Sequence, residues 1–337
     1  MLFFTSIVKQ ATVLLFGTTG EIITEKAGHL NLGIPGVMFF GALGGCVGLN
    51  IYANCGGKNP FAIVLIAIIF AILFSAIIGA VYSFLTVSLR SNQNITGLAI
   101  STFGAGCYKF SLQSGIINCI KLSAYSDAFQ HAFPFYTSLG GFGDIFFSHG
   151  ALFYIAIIVA VATGLILNKT RTGLFLRAVG ENPATADAAG INVTTYRYLA
   201  TIIGSVVAGL GGIAYIFYSS NFSVDSANAA VDASGWLSIA LVIFTMWKPT
   251  LSILGAFVFS LLSTMGTYIP GLGAIKLKQE VCYQHAVTGF CEIMLVEVAD
   301  SKDVQSVVDI FNQRIDTASD DSFYPETAQL WAQNAQV

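Results

Sequence analysis

Charged residues are scarce in this 337-residue chain. They make up 10% of it, whereas an ordinary soluble domain carries about 25%. The few charges are also unevenly distributed, since residues 1–274 have a net charge of +3 and residues 275–337 a net charge of −6. This distribution excludes a single soluble domain and predicts a membrane domain over 1–274, followed by a soluble, acidic C-terminal segment over 275–337.

The sequence also lacks the motifs of common enzymes, metal sites and nucleotide sites. No G-x-x-x-x-G-K-[ST] phosphate loop is present, so the chain does not bind ATP by that device. The six cysteines form no C-x-x-C pair and the four histidines are dispersed, so we predict no metal site. Each histidine is interpreted as a solvated or hydrogen-bonded side chain. Neither an enzyme, nor a cofactor on this chain, nor a nucleic-acid partner is predicted.

Long apolar runs are what the sequence does contain. A bilayer crossing takes about 20 residues, and about eight runs are candidates. They are the N-terminal run and residues 32–52, 61–89, 91–108, 145–168, 198–224, 235–247 and 249–275. The run at 235–247 is short and is interpreted as a broken or re-entrant helix. The predicted fold class is therefore an all-α polytopic membrane protein, some of its segments broken, with a small α+β soluble segment.

The soluble segment has its own pattern. Residues 289–298 are expected to form a strand, and residues 301–318 and 324–335 to form helices, the first of them amphipathic. Glycine clusters in the membrane domain, at 41–45 and 204–212, place small residues at helical spacing. Such faces let helices approach closely in lipid, although a backbone-lined pathway is the alternative interpretation.

The polar stretch over 169–198 predicts the orientation of the protein. Its charged residues are Lys169, Arg171, Arg177, Glu181, Asp187 and Arg197. Four cations at a bilayer centre cost on the order of 10 kcal/mol on insertion scales, so this stretch lies in water, and its positive excess indicates the cytoplasm. The loops expected at about 114–146 and 219–233 then lie outside the cell.

A complete short helix is predicted inside this stretch. Asn182 is suited to cap it, Pro183 to its first turn and Gly190 to a left-handed stop. A membrane protein that builds a capped helix on its cytoplasmic face is expected to present that helix to another protein.

Residues 21–38 combine polar side chains with glycine and proline between apolar runs. Such backbone at membrane depth is tolerated only where protein buries it or where it lines a water-filled cavity. One interpretation is an ordinary loop with a helix start, and the other is a discontinuous helix beside a transport pathway. The candidate pathway residues are Glu25, Asn31, Gly33, Gly36 and Asn94. Asn94 is alternatively a cap, or a first-turn residue, of the helix after Arg90.

Three segments together resemble the membrane permeases of bacterial ABC importers. They are 24–39 (TEKAGHLNLGIPGVMF), 92–101 (NQNITGLAIS) and 176–193 (LRAVGENPATADAAGINV). The likeness is greatest to the nucleoside and simple-sugar permeases, related to those for ribose and branched-chain amino acids, and covers about residues 7–268. The polar tail is weakly similar to a domain of unknown function in lipoproteins of gut bacteria. At this position the family has a further membrane helix. The tail is interpreted either as a fused domain or as the result of an artefactual join of two genes.

The resemblance implies a multi-pass half-transporter in the bacterial cell membrane. A second permease subunit, identical or different, would complete the pathway. A cytoplasmic ABC ATPase would supply energy from ATP, and an extracytoplasmic substrate-binding lipoprotein would deliver nucleosides or simple sugars. The residues it implies for coupling to the ATPase are Arg177, Gly180, Glu181, Asn182, Pro183, Asp187 and Gly190.

Two other functions remain open from the sequence. One is a secondary carrier or channel without an ATPase, which the small number of ionisable residues inside the apolar runs disfavours. The other is a membrane-anchored binding module that presents residues 275–337.

Overall fold

A computed structural model describes residues 2–56, 59–115, 129, 149–218, 224–268, 277–284 and 291–298. The chain divides into two compact units, residues 1–264 and residues 265–337. The predicted loop at about 114–146, apart from residues 114, 115 and 129, lies outside the described residues, as do the predicted helices at 301–318 and 324–335.

The helices in the described part of the chain are α1 (Leu2–Lys26), α2 (Ile34–Asn54), α3 (Pro60–Ser83), α4 (Gln93–Gln113), α5 (Ala151–Lys169), α6 (Arg171–Glu181), α7 (Pro183–Ala188), α8 (Val193–Tyr218), α9 (Val224–Phe244) and α10 (Pro249–Tyr268). A π-helical turn, Phe84–Ser88, continues α3. The strands β1 (Leu277–Gln284) and β2 (Cys291–Val298) form an antiparallel pair that aligns Leu277 with Val298.

The all-α polytopic architecture predicted for the membrane domain is confirmed. Within the described residues, every helix except α6 and α7 has at least 19 residues. Four of them are long and apolar enough to cross a membrane: α2, α3 with its π-helical turn, α5 and α8. The chain is therefore a multi-pass membrane protein.

The inner helices of the bundle are α1, α2 and α8, and glycine brings them together. A Cβ on Gly41 of α2 would collide with the carbonyl oxygen of Gly209 on α8. Gly20 of α1 and Gly204 of α8 meet in the same way. Small residues at a crossing let two backbones approach closely in lipid, so the packing predicted from the two glycine clusters is confirmed.

Helix α3 lies at the periphery and is apolar on nearly all sides. Phe61, Leu73 and Ile77 are each at least half exposed, which is the arrangement expected for a helix that faces lipid.

The predictions around residue 224 were wrong. We expected one apolar run over 198–224, an outside loop over 219–233 and a broken helix at 235–247. Instead α8 ends at Tyr218, and α9 runs unbroken from Val224 to Phe244. The stretch VDSANAAVDAS, in which Asp225 suggested a loop, is rich in alanine, and an aspartate in the first turn favours a helix.

Two smaller boundaries also differ from the prediction. The cap of α4 is Asn92, whose side chain accepts hydrogen bonds from the backbone N–H groups of Asn94 (3.0 Å) and Ile95 (3.3 Å). Asn94 therefore lies in the first turn of α4, as one of its two interpretations held, rather than at the cap. In the tail, the predicted strand appears as β2, whereas its partner β1 was not predicted.

Candidate functional site

Four connections lie together at one end of the helix bundle, which we call the basic end: residues 27–33, 89–92, 170–192 and 245–248. The Tyr82 hydroxyl donates to the backbone oxygens of Leu30 (3.0 Å) and Gln93 (3.4 Å), which joins the first two connections. The third and fourth connections both contact the end of α1, as described below. Since α1 ends here, its N-terminus lies at the opposite end of the bundle.

The short helix α7 is built as its sequence predicts. Asn182 is extended (φ −146°, ψ 93°), and its side chain accepts from the Thr185 N–H at 3.1 Å. Pro183 occupies the first helical position. At the other end, the Ile191 N–H donates to the Ala186 oxygen, and the Gly190 N–H to the Asp187 oxygen. This is a Schellman stop with Gly190 at φ +82°, a conformation that glycine adopts without strain.

Helix α7 presents nearly all of its surface. Ala186 is its one buried residue, at 3% exposure, whereas Asn182, Asp187 and Gly190 are exposed. A six-residue helix cannot hold together by propensity alone, so its two caps and the contact through Ala186 keep it formed. The described structure therefore leaves most of this capped helix accessible to another protein.

The preceding helix, α6, connects α7 to the core. Thr170 caps α6 by accepting from the Gly173 N–H at 3.1 Å. At its other end Gly180 lies against the last residue of α1, because a Cβ there would collide with the Lys26 carbonyl oxygen. Gly28 (φ +86°) meets Gly180 from the turn after α1. No side chain separates the backbones of α6 and α1 at this contact. A displacement of α7 would therefore be transmitted through Gly180 directly to the backbone of α1.

The end of α1 carries two carboxyl groups one helical turn apart, Glu21 and Glu25. Glu21 has no exposed surface, and its Oε1 accepts from the Asn31 N–H at 2.8 Å while its Oε2 has no hydrogen-bond partner. Glu25 is half-buried and accepts from the indole N–H of Trp247. This bond ties α1 to the turn between α9 and α10.

That turn is strained. Met246 (φ +52°) and Trp247 (φ +54°) both lie in the left-handed region, where a non-glycine residue costs of order 1–3 kcal/mol. The surrounding contacts, including the bond from Trp247 to Glu25, must hold this conformation in place.

His29 lies beside the same residues and was not predicted as part of a site. Its side chain is only 5% exposed, and its Nδ1 has no hydrogen-bond partner. Burial, with a smaller contribution from the positive charge of Arg197, lowers the pKa of His29 to about 4. The interpretation of His29 as a solvated or hydrogen-bonded side chain was therefore wrong for its Nδ1 atom. Because of the lowered pKa, the imidazole is neutral at pH 7.

A cavity of about 370 Å³ opens among these residues, and we call it the basic-end cavity. Its lining includes Glu25, Lys26, His29, Arg177, Glu181 and Trp247. Four residues predicted for two separate roles are thus brought together: Glu25 for a pathway, and Arg177, Gly180 and Glu181 for coupling. No signal in the sequence joined Trp247 or His29 to them.

The other candidate pathway residues are placed differently. Asn31 is fully buried, and its Oδ1 accepts from the Gly33 N–H at 2.9 Å. Gly33 and Gly36 pack against the backbone of α4, where a Cβ on Gly33 would lie 3.2 Å from the Gly97 oxygen. Asn94 is exposed at the start of α4. Within the described residues no group of three or more His, Cys, Asp or Glu side chains is arranged to hold a metal ion.

Comparison with known proteins gives the chain a family. The family described as branched-chain amino acid transport system / permease component matches residues 3–291. The nucleoside ABC transporter permease protein NupC of Lactococcus lactis is 34% identical over 279 residues, which cover 79% of this chain and 83% of that protein.

Two further relatives are similar over most of their length. The guanosine ABC transporter permease protein NupQ of Bacillus subtilis is 32% identical over 276 residues, covering 77% of this chain and 81% of that protein. A permease protein assigned to a glucose ABC transporter in Haloferax volcanii is 34% identical over 262 residues, covering 77% and 74%. The chain therefore belongs to the branched-chain amino acid transport system permease family, and it is an integral membrane permease component of an ABC transporter.

Proposed function

We propose that this chain is the permease subunit of an ATP-driven importer in the bacterial cell membrane, and that energy enters it through α7. The observation that carries the proposal is α7 itself, a six-residue helix that is capped at both ends and in which only Ala186 is buried. ATP would bind to and be hydrolysed by a separate cytoplasmic ABC ATPase, because the sequence has no phosphate loop.

The coupling role rests on a short mechanical path. An ATPase groove would hold α7 through the exposed surface around Asn182, Pro183, Asp187 and Gly190. Movement of α7 would displace α6, and the contact at Gly180 would transmit this displacement to the backbone of α1. Arg177 and Glu181 stand at the end of α6, beside the same contact.

The basic end faces the cytoplasm in this proposal. Cytoplasmic segments of membrane proteins carry an excess of lysine and arginine, and the basic end holds Lys26, Arg90, Lys169, Arg171, Arg177, Arg197 and Lys248. The N-terminus of α1, at the other end of the bundle, would then be extracytoplasmic.

The substrate class that we propose is nucleosides or simple sugars. It rests on the relatives, which are named as permeases for nucleosides, guanosine and glucose. A second permease subunit, identical or homologous, would complete the pathway, and an extracytoplasmic lipoprotein would deliver the solute. Glu25 and Asn31 would lie near the cytoplasmic mouth of that pathway, with Gly33, Gly36 and Asn94 along α2 and α4.

One observation bears on the alternative of a secondary carrier. Glu21 is fully buried in α1 and one of its carboxyl oxygens has no hydrogen-bond partner. Carboxyl groups within membrane segments are rare, and proton relays of pumps and transporters use them. This function requires transport driven by an ion gradient in vesicles that contain the chain without an ATPase.

The domain boundary and the tail stay part of the proposal. Residues 1–274 would form the transport domain and residues 275–337 an extracytoplasmic segment. A membrane-anchored binding module would require that segment to bind a partner when the permease is inactive.

An uptake assay in cells that express the chain with its ATPase tests the main proposal. We expect ATP-dependent uptake of radiolabelled nucleosides, pentoses or hexoses, and loss of uptake on deletion of residues 182–189 or in Glu181→Lys. Gln113→Lys, which also introduces a lysine at an exposed position but at the other end of the bundle, is the control. Uptake that survives deletion of the helix would reject the coupling role of α7.

A further inference from the structure

Helix α6 turns an apolar strip outward. Arg171, Leu174 and Phe175 are spaced at i, i+3 and i+4, so they share one face of the helix. Leu174 is 56% exposed and Phe175 36%, and Arg171 is exposed as well. The buried residues of α6 are Gly173 and Val179. Two large apolar side chains exposed together on one helix face indicate a surface that another protein or a membrane covers.

The exposed strip of α6 lies beside the membrane-spanning helix α8. The Phe175 ring meets the Tyr196 ring of α8 edge to face, with the ring centroids 6.1 Å apart. One and two turns further along the same side of α8, Leu199 and Ile203 are each more than half exposed. Apolar side chains exposed on a membrane span face lipid, so the strip on α6 continues the lipid-facing side of α8.

The membrane-spanning helix α5 borders α6 on the other side. A Cβ on Gly173 would collide with the Ile166 carbonyl oxygen, so α6 packs against the last turn of α5. Leu165 and Ile166, at that end of α5, are both at least half exposed. Helix α6 is thus held where α5 ends and α8 begins, which is the level of the lipid headgroups. Tyrosine is enriched at this level of membrane proteins, and Tyr196 lies there.

Two cations stand at the start of the same strip. Lys169 ends α5 and Arg171 begins α6, and both side chains are exposed. The nearest acidic residue along the chain is Glu181, at the other end of α6 and about 15 Å away along the helix axis. Basic residues at the membrane surface attract anionic lipids, so the charge at this end of α6 complements an anionic headgroup.

Helices α6 and α7 present different chemistry. Helix α7 exposes small and polar residues, among them Ala184, Thr185 and Asp187. Helix α6 exposes large apolar side chains next to cations, which matches a bilayer surface, because the apolar groups enter the acyl boundary while the cations meet the headgroups. The exposed face of α6 therefore fits lipid, in contrast to the protein groove proposed for α7.

We propose that α6 is an interfacial helix that binds anionic phospholipid, with Leu174 and Phe175 in the acyl boundary and Lys169 and Arg171 at the headgroup phosphates. The lipid contact goes beyond the proposed function and does not depend on it. Lipid bound in this way would fix the depth of α6 in the bilayer. A displacement of α7 would then be transmitted at Gly180 and not lost in a free movement of α6.

Photocrosslinking in proteoliposomes tests this surface. The full-length chain, with a photoactivatable amino acid in place of Leu174, is assembled with its ATPase in bilayers of equal phosphatidylglycerol and phosphatidylcholine, and mass spectrometry identifies the adducts. We expect lipid adducts in which phosphatidylglycerol exceeds phosphatidylcholine by at least about threefold, because each basic residue near an anionic surface favours it by up to about fivefold. Adducts to the ATPase, no adducts, or equal amounts of the two lipids would overturn the proposal.

A double variant tests the two cations. Lys169→Gln with Arg171→Gln should keep the lipid adducts at position 174 but remove the excess of phosphatidylglycerol. Both side chains are exposed, so the variant is expected to fold, and thermal melting checks that it does. An excess that survives in the double variant would show that other groups select the headgroup, and would reject the roles of Lys169 and Arg171.

Two matched controls come from the same chain. Lys109→Gln, which removes an exposed lysine at the other end of the bundle, should keep the excess of phosphatidylglycerol at position 174. The photoactivatable amino acid at Leu73, an exposed residue of α3, should form lipid adducts and so shows that the crosslinking chemistry works. ATP-dependent uptake is measured in parallel. Uptake without lipid adducts at position 174 would overturn this inference and leave the proposed function standing.

Discussion

The caps of α7 offer the sharpest test of how the protein receives energy. Asn182→Ala removes the hydrogen bond to the Thr185 N–H, and loss of such a cap costs about 1 kcal/mol. Gly190→Ala forces a Cβ into the left-handed conformation at φ +82°, for roughly a further 1–2 kcal/mol. A helix of six residues is not stable by itself, so α7 should be largely unfolded in the double variant.

The assay is substrate-stimulated ATP hydrolysis by the chain assembled with its ATPase in proteoliposomes. Losing about 2–3 kcal/mol lowers the population of formed helix by roughly 30- to 150-fold if α7 is marginally stable, and stimulation should fall with it. Hydrogen exchange of residues 183–189 reports whether the helix is lost. Asn182→Asp, which keeps the cap, is the control.

Full stimulation in a double variant whose α7 amides exchange freely would refute the reasoning. The helix would then be dispensable, and the ATPase would have to engage another surface of the basic end.

Three further predictions concern the basic end. Gly180→Ala should lower thermal stability by about 1–3 kcal/mol, as overpacking does, because its Cβ would collide with a carbonyl oxygen of α1. Trp247→Phe should reduce substrate-stimulated ATP hydrolysis, because it removes the bond to Glu25 that holds the strained turn before α10. Stability should fall as pH drops from about 6.5 towards 4, because the pKa of His29 is lowered to about 4 in the folded protein and the unfolded chain binds the proton more readily.

Each of these predictions has its own control. Gly106→Ala, at an exposed helical position with nothing within 4 Å of the new Cβ, should be neutral or slightly stabilising. A Gly180→Ala protein that melts like Gly106→Ala would show that the contact with α1 is loose. Trp236→Phe controls for the loss of an indole elsewhere in the chain. Equal substrate-stimulated ATP hydrolysis in the two Trp variants would contradict a role of the turn before α10 in this activity.

For the pH prediction, melting temperatures are compared at pH 7.5 and pH 5. The drop should be smaller in His29→Gln, which does not titrate. An equal drop in both proteins would assign the pH dependence to other groups.

Local chemistry explains which parts of this molecule the sequence could predict. The caps of α7 act within three or four residues, so Asn182, Pro183 and Gly190 specified the helix without knowledge of the fold. The glycine contact between α2 and α8 also follows from spacing, although Gly41 and Gly209 gave no indication that they would meet each other.

Contacts between distant parts of the chain could not be predicted in this way. Glu25 and Trp247 are separated by 222 positions, and only the packing of α1 beside α9 brings them together. The start of α9 was missed for a different reason, since Asp225 was interpreted as a loop residue although an acidic residue in a first turn also stabilises a helix.

A crosslink from α7 tests the central claim most directly. A photoactivatable amino acid is placed at Ala184, an exposed residue of α7, and in a second protein at Gln113, exposed at the other end of the bundle. Irradiation of the assembled transporter should join Ala184, and not Gln113, to the ATPase. No crosslink to the ATPase from Ala184 in an assembly that still hydrolyses ATP in response to substrate would contradict the account.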